Sequence, residues 1–298
     1  MKTMLMKLTA ACALALAMAP GAQAQILAND PFLTGGGNYT TSGSIVGQGP
    51  AVAGFTGNWF DAFQGVRDSV SATPISYSGT TGYDTTPGSG ALVNITQDGR
   101  AGRALDSSVV NALTATSGTV YMSFLMQLPT VGGYQAVELG NGSDPGRFLQ
   151  VGASSFGDFQ NSTHFGITLN ASGGGGTTGS FGLADTAAHL FVLQFNLTSG
   201  TDTLNAWEDP TSVTGGVVTG GTEVSLSGFT VINTPSDLLL GTFGGGSQGT
   251  GVSDIRFGLT LGDVTAVPEP SVSYLAFIGL GVLFLVRRRL TAKKASYI

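Results

Sequence analysis

From Val120 to Leu128 the apolar side chains recur at every second position. Val120, Met122, Phe124, Met126 and Leu128 share one face of an extended chain, and Tyr121, Ser123, Leu125 and Gln127 share the other. The period returns in His189–Leu197, which aligns Phe191, Leu193, Phe195 and Leu197. It returns in Phe165, Ile167 and Leu169, and in Ile255, Phe257, Leu259 and Leu261, which alternate with Arg256, Gly258, Thr260 and Gly262. A strand patterned this way is half-buried and needs a second layer to cover its apolar face. Turn signals separate the segments. Ser199-Gly200-Thr201-Asp202 would join the strand ending at Leu197 to one through Leu204 and Ala206, and Gly173–Gly176 and Gly244–Gly246 mark longer loops. The body shows no amphipathic helix and no repeat of fixed period, which argues against a solenoid or propeller. The pattern predicts an all-β body of two packed antiparallel sheets. The 47 glycines and the low charged fraction of 10% suit short strands joined by turns.

The two ends of the chain have a different character. Residues 1–24 carry the three parts of a secretory signal peptide. Lys2 and Lys7 make a basic start, Leu8–Met18 an apolar stretch, and Pro20-Gly21 a helix break. Ala22-Gln23-Ala24 then fits an A-x-A cleavage site before Gln25. A membrane anchor would need a longer apolar run, and a lipoprotein reading through Cys12 fails because most of the apolar run follows that cysteine. Cys12 is the only cysteine, so the mature chain holds no disulfide. At this size a hydrophobic core suffices without one.

With both ends set aside, the body keeps five basic residues: Arg67, Arg100, Arg103, Arg147 and Arg256. It has no lysine, and it holds 17 of the 18 acids, a balance of 5 − 17 = −12. Such a charge repels phosphate backbones, so nucleic acid is not an expected partner.

At the C-terminal end, Ser271–Val286 is a run of 16 residues without a charge. As a helix it would span about 24 Å against a hydrocarbon core of about 30 Å, a mismatch that long arginines and slight bilayer thinning absorb. Arg287, Arg288 and Arg289, with Lys293 and Lys294, would stop on the cytoplasmic side and leave the body facing outward. A buried core helix is the alternative, and arginines clustered at the C-terminal end speak against it. Pro268-Glu269-Pro270 just outside this span holds the backbone extended and blocks helix formation. A stiff, accessible strip in that position is one that a membrane enzyme could grip.

Val267-Pro268-Glu269-Pro270-Ser271, the short apolar span and Arg287-Arg288-Arg289 together resemble the PEP-CTERM sorting signal of Gram-negative bacteria. The resemblance implies export through the general secretion machinery and transient anchoring in the inner membrane. Processing by an exosortase, an integral-membrane cysteine transpeptidase, would follow near Pro268–Pro270. The body would then reach the cell surface or the extracellular matrix, in company with exopolysaccharide. The residues beyond the arginines, Leu290–Ile298, make a longer ending than such signals usually have.

Three further stretches resemble laminin-G and concanavalin A-like jelly rolls. The first is "ILANDPFLTGGGNYTTSGSIVGQGPAVAGFTGNW", similar to their opening strand. The second is "VYMSFLMQL" with "AVELGNGSDPGRFLQVG", similar to their central pair. The third is "FVLQFNLTSGTDTLNAWEDP" with "SDIRFGLTLGDV", similar to their closing strands. The expectation is therefore an all-β, two-sheet antiparallel jelly-roll sandwich over residues 25–266. A signal helix (1–24) would precede it and a sorting signal with a transmembrane helix (267–298) would follow. The region 35–103 is the least patterned.

The residues that could carry chemistry are few. Concanavalin A-like glucanases place carboxylates as E-x-D-x-x-E on one strand face, flanking the glycosidic bond. Here Glu138, Glu208 and Glu223 are isolated. Glu208, in Trp207-Glu208-Asp209-Pro210, is the remaining catalytic candidate, and its plain reading is a solvated strand end before a proline turn. Gly245–Gly249 fits G-x-S-x-G and Gly244–Gly249 and Gly174–Gly179 fit G-x-G-x-x-G, but none opens a helix, as an elbow or a phosphate cradle must. His164 and His189 are the only histidines, and zinc would need both plus a carboxylate; at strand starts they read as surface residues. No cofactor is expected. A structural calcium held by scattered acids such as Asp144, Asp158 and Asp185 is the alternative. Trp59 and Trp207 are candidate ligand contacts, as stacking platforms for a sugar, although aromatic residues mostly serve the core. These readings point to an exported, non-enzymatic protein associated with polysaccharide. A carbohydrate-active enzyme and a protein-binding adhesion module are the alternatives.

Overall fold

The alternating segments become strands in a computed structural model of the chain. It describes residues 25–265 apart from 35–37, 42, 64–67, 85–90, 94–98, 129–131, 142–146, 155–162, 171–175, 230–235 and 244–250. All of these belong to one unit, Gln25–Val267. The expected signal peptide and the expected transmembrane helix at 271–286 lie outside the described residues. Among the described residues no helix is long and apolar enough to cross a membrane.

In chain order the strands begin with β1 (Ile26–Asp30), β2 (Phe55–Phe63), β3 (Ser69–Ser71), β4 (Ala91–Val93) and β5 (Gly99–Leu105). After helix α1 (Ser107–Leu113) come β6 (Gly118–Gln127), β7 (Tyr134–Gly140), β8 (Arg147–Ser154), β9 (His164–Asn170) and β10 (Gly176–Leu183). Next are β11 (Ala188–Leu197), β12 (Asp202–Glu208), β13 (Thr222–Phe229), β14 (Asp237–Phe243) and β15 (Gly251–Gly258), closed by helix α2 (Leu261–Thr265). One sheet runs β13-β12-β11-β6-β15-β4-β3, with β1 also paired to β15. The other runs β10-β9-β8-β7-β14-β5-β2. Every strand pairing is antiparallel. The chain crosses between sheets after β6 and returns after β10. It crosses again on either side of β14, which enters between β7 and β5.

The Ser199–Asp202 turn joins β11 to β12 as expected, with the Thr198 N–H donating to Asp202 Oδ1 at 2.8 Å. The stretch likened to one opening strand holds two, β1 and β2, and they belong to different sheets. The poorly patterned region 35–103 supplies β2 to β4 and the start of β5. Two short helices also depart from the expectation. Asp106 caps α1 by accepting the Ser108 N–H at 2.6 Å, and Val109 and Leu113 turn into the core. The strand expected to run through Leu261 ends at Gly258. There Asp263 Oδ2 accepts the N–H groups of Leu259 and Thr260 at 2.9 and 2.7 Å, which folds the chain into α2. A Cβ on Gly258 would lie 2.2 Å from that of Asp263, so only glycine allows this return.

The main core lies between the sheets, and Phe191, Leu193, Phe195 and Leu197 all enter it. Phe191 of β11 meets Phe124 of β6 in its own sheet at 5.3 Å between ring centroids. It also meets Phe165 of β9 and Phe181 of β10 in the opposite sheet at 5.4 and 5.5 Å. The larger sheet is not half-solvated, as alternation implied. A second cluster of Ile75, Leu125, Leu190, Val192, Trp207, Val213, Leu261 and Val264 covers its other face. An ion pair also joins the sheets: Arg103 Nη1 donates to Asp30 Oδ2 at 3.0 Å, with both side chains buried. Tyr39 Oη donates to the same oxygen at 2.6 Å, and Trp59 Nε1 donates to Tyr39 Oη at 2.9 Å.

Two measurements test this packing. Phe191→Ala removes a ring that bridges four strands, and urea unfolding should show a loss of about 3–5 kcal/mol. Asp68, just before β3, is 1% exposed, and its Oδ1 has no hydrogen-bond partner among the described residues. Burial, and then the charge of Asp61, push its pKa up to about 7. The folded protein therefore binds a proton that the unfolded chain releases near pH 4, and stability falls as pH rises from about 4 to about 7. Asp68→Asn should raise stability by about 1–3 kcal/mol at pH 8 and by little at pH 4. A gain that is equal at both pH values would exclude ionisation as the cause.

Candidate functional site

His189, the second residue of β11, lies on the same face as Phe191, so alternation directs its imidazole toward the space between the sheets. The ring packs on Phe165 of the opposite sheet, with centroids 4.8 Å apart. It is 7% exposed and not a surface residue as its strand-start position suggested. Glu208 ends β12 directly opposite Phe191. It shares the inner face with Leu204 and Ala206, and it is buried instead of solvated. Glu208 Oε2 accepts the Gly182 N–H of edge strand β10 at 2.6 Å and so ties β12 to the opposite sheet. A Cβ on Gly182 would lie 2.8 Å from that oxygen.

Asp209 follows with φ at +47°, a left-handed turn residue that folds its side chain back on β11. Its Oδ1 accepts the Leu190 N–H at 2.9 Å, and its own N–H donates to the Leu190 carbonyl at 2.9 Å. Asp209 Oδ2 then lies 2.7 Å from His189 Nδ1, and Glu208 Oε1 lies 3.3 Å from the same nitrogen. On the other side of the ring, His189 Nε2 is 2.9 Å from Asp185 Oδ1, which also accepts the Ala187 N–H at 2.6 Å. One imidazole thus faces three carboxylates. Glu208 forms the buried floor, and the half-exposed Asp209 and Asp185 side chains form the rim.

The electrostatics follow from this arrangement. Burial opposes the charged imidazolium. Hydrogen bonds to Asp209 and Asp185, with the charges of Asp209 and Glu208, outweigh it and push the His189 pKa up to about 9. Burial raises Glu208, partly offset by the Gly182 N–H and by His189. The bond to His189 and then the Ala187 N–H hold Asp185 below the usual carboxylate range.

Trp59 is 1% exposed and sits in the main core, and Trp207 is 8% exposed in the second cluster. Neither indole presents an open face on which a sugar could stack. His164 lies on β9, with its Nδ1 3.0 Å from the Thr163 hydroxyl, and stays apart from the cluster around His189. Gln25, the first residue after the expected cleavage site, is exposed. Ala22, Ala24, Pro268, Glu269, Pro270, Arg287, Arg288 and Arg289 lie outside the described residues, as do Asp144, Asp158 and Gly245–Gly249. Sequence reasoning missed the grouping of Asp185, His189, Glu208 and Asp209. The parity of Glu208 with Leu204 and Ala206, and of His189 with Phe191, was the signal that both point inward.

Residues 266–289 match the PEP-CTERM protein-sorting motif, the substrate signal for exosortase processing of exported proteins. No curated protein matches the chain. Among solved structures it is similar to the "Botulinum Neurotoxin Type G Receptor Binding Domain", at 10% identity and a TM-score of 0.39, over 81% of this chain and 51% of that one. It is also similar to the binding domain of botulinum neurotoxin DC in complex with rat synaptotagmin II, at 11% identity and a TM-score of 0.41, over 72% of this chain and 47% of that one. A third is the botulinum neurotoxin serotype C1 binding domain, at 11% identity and a TM-score of 0.38, over 71% and 47%. The chain spans about half the length of these structures.

Gly182→Ala should force the Glu208 carboxylate away from its N–H donor. A loss of about 1–3 kcal/mol in chemical unfolding is expected. Wild-type stability in this variant would mean that the Glu208–Gly182 bond does not hold the two sheets together.

Proposed function

We propose that this chain is an exosortase substrate whose jelly-roll body is delivered to the cell surface or extracellular matrix. There it works without catalysis, in association with exopolysaccharide. The single observation that carries the reading is the sorting motif at 266–289. A rigid Pro268-Glu269-Pro270 strip followed by a marginal apolar span and three arginines is chemically suited to a tail that is held briefly and then cut. The N-terminal signal segment 1–24 supplies export, and its cleavage leaves Gln25 at the start of the mature chain.

The placement of the three glutamates favours a non-catalytic body. Hydrolysis of a sugar bond needs two carboxylates flanking an open groove. Glu138 is fully buried beside Arg100 and Tyr134, Glu208 is buried against Gly182 and His189, and Glu223 is exposed on the edge strand β13. The surface is acidic as well. Arg100, Arg103 and Arg256 are 5%, 1% and 2% exposed, so three of the five cations that the sequence places in the body are withdrawn from solvent.

Mass spectrometry of the cell-surface fraction tests the sorting reading. Mature wild-type protein should lack Arg287–Ile298. Pro268→Ala with Pro270→Ala should retain that segment and accumulate in the inner membrane. Intact Arg287–Ile298 in mature wild-type material would make the tail a permanent anchor and overturn the proposal, as would normal trimming of the double variant.

A further inference from the structure

We propose that His189, Glu208 and Asp209 form a binding site for one divalent transition cation of the zinc class, with Asp185 as the positioning residue behind the imidazole. One donor atom from each of the three ligands lies within 4.8 Å of the other two. Each ligand is also fixed by its second polar atom. Glu208 Oε2 is held by the Gly182 N–H, Asp209 Oδ1 by the Leu190 N–H, and His189 Nε2 by Asp185 Oδ1. What remains at the centre is one imidazole nitrogen and two carboxylate oxygens. A carboxylate that orients a histidine from behind is the usual support for a metal-bound imidazole.

The second observation is Glu208 Oε1. Its side chain is 5% exposed, and this oxygen is buried, 3.3 Å from Nδ1, without a hydrogen-bond partner among the described residues. A simple ion pair does not satisfy it. His189 Nδ1 carries one proton, and Asp209 Oδ2 at 2.7 Å is placed to take it. A cation at the centre satisfies all three atoms together. It also offsets the repulsion between two adjacent carboxylates, one of which is buried.

The geometry suits a small cation. Bonds of about 2.0–2.1 Å in a tetrahedron place ligand atoms about 3.3 Å apart. The Nδ1–Oε1 separation of 3.3 Å already has this value, and the Nδ1–Oδ2 separation of 2.7 Å must open by about half an ångström. An imidazole among the ligands favours zinc and its neighbours over calcium, which takes six to eight oxygens. Asp209, 39% exposed at the rim, gives the ion access from solvent, and a water would complete a four-coordinate shell. On binding, the proton on Nδ1 leaves to solvent, and the imidazole keeps the proton on Nε2 that it donates to Asp185.

The test uses the full chain, purified in detergent, stripped with a chelator and titrated with zinc chloride by calorimetry. Metal content is then measured after desalting. One equivalent of zinc per chain should bind with release of a proton. His189→Ala should abolish retention, and Glu208→Gln should weaken it at least 10-fold. Asp185→Asn should weaken it about 10–100-fold, as loss of a support behind a liganding histidine does. Zinc should also raise the unfolding midpoint of the wild type but not that of Glu208→Gln. That nearly isosteric variant carries the test if His189→Ala does not fold. Cobalt should bind at one equivalent with the visible absorption of a tetrahedral site. The proposal is overturned if the stripped wild type retains no zinc. It is equally overturned if His189→Ala and Glu208→Gln retain a full equivalent, or if calcium displaces zinc at equal concentration.

Discussion

The ring of Phe191 is the contact on which most of this molecule depends. It touches Phe124 within its own sheet and Phe165 and Phe181 across the gap, so four strands converge on one side chain. A body without lysine and with only five arginines draws its stability mainly from such apolar contacts. The candidate site grows from the same cluster. His189 precedes Phe191 by two positions on the same face and rests on Phe165. Glu208 lies opposite Phe191 in the strand register. Packing that fixes the aromatic rings therefore also fixes the imidazole and the carboxylate.

Polar groups do the fastening at both ends of this core. Near β1, the Asp30–Arg103 pair takes a carboxylate from one sheet and a guanidinium from the other; Tyr39 donates to the same carboxylate oxygen, and Trp59 donates to Tyr39. Near the end of β12, Glu208 reaches across to the Gly182 backbone. Each is a buried charge held by directed donors, which keeps its burial tolerable. The sheets are thus located by apolar area and fixed in register by a few charged bonds.

Much of the fold was legible because its signals are local. Alternation in His189–Leu197 and the Ser199–Asp202 turn each lie within ten residues, and both appear where expected. What was not legible depends on distant partners. The burial of Glu208 requires Gly182, 26 positions earlier, and the ending of β15 at Gly258 requires Asp263 to fold back over it. The double-sided burial of β6 requires residues 75, 213 and 264 to converge on Leu125. Helix α1 has only seven residues, too few for a helical period to stand out. The sorting tail was the reverse case, because its chemistry is linear and needs no fold to be read.

The burial of Arg100, Arg103 and Arg256 has a consequence for life outside a cell. An enzyme of trypsin-like preference must draw a basic side chain into its own pocket before it can cut. These three guanidiniums are already buried and hydrogen-bonded within the body, Arg103 between the sheets and Arg100 and Arg256 on their outer faces, and the body contains no lysine. Cleavage after them therefore has to wait until the packing around each one opens, and nicking at those bonds would serve as a clock for that opening.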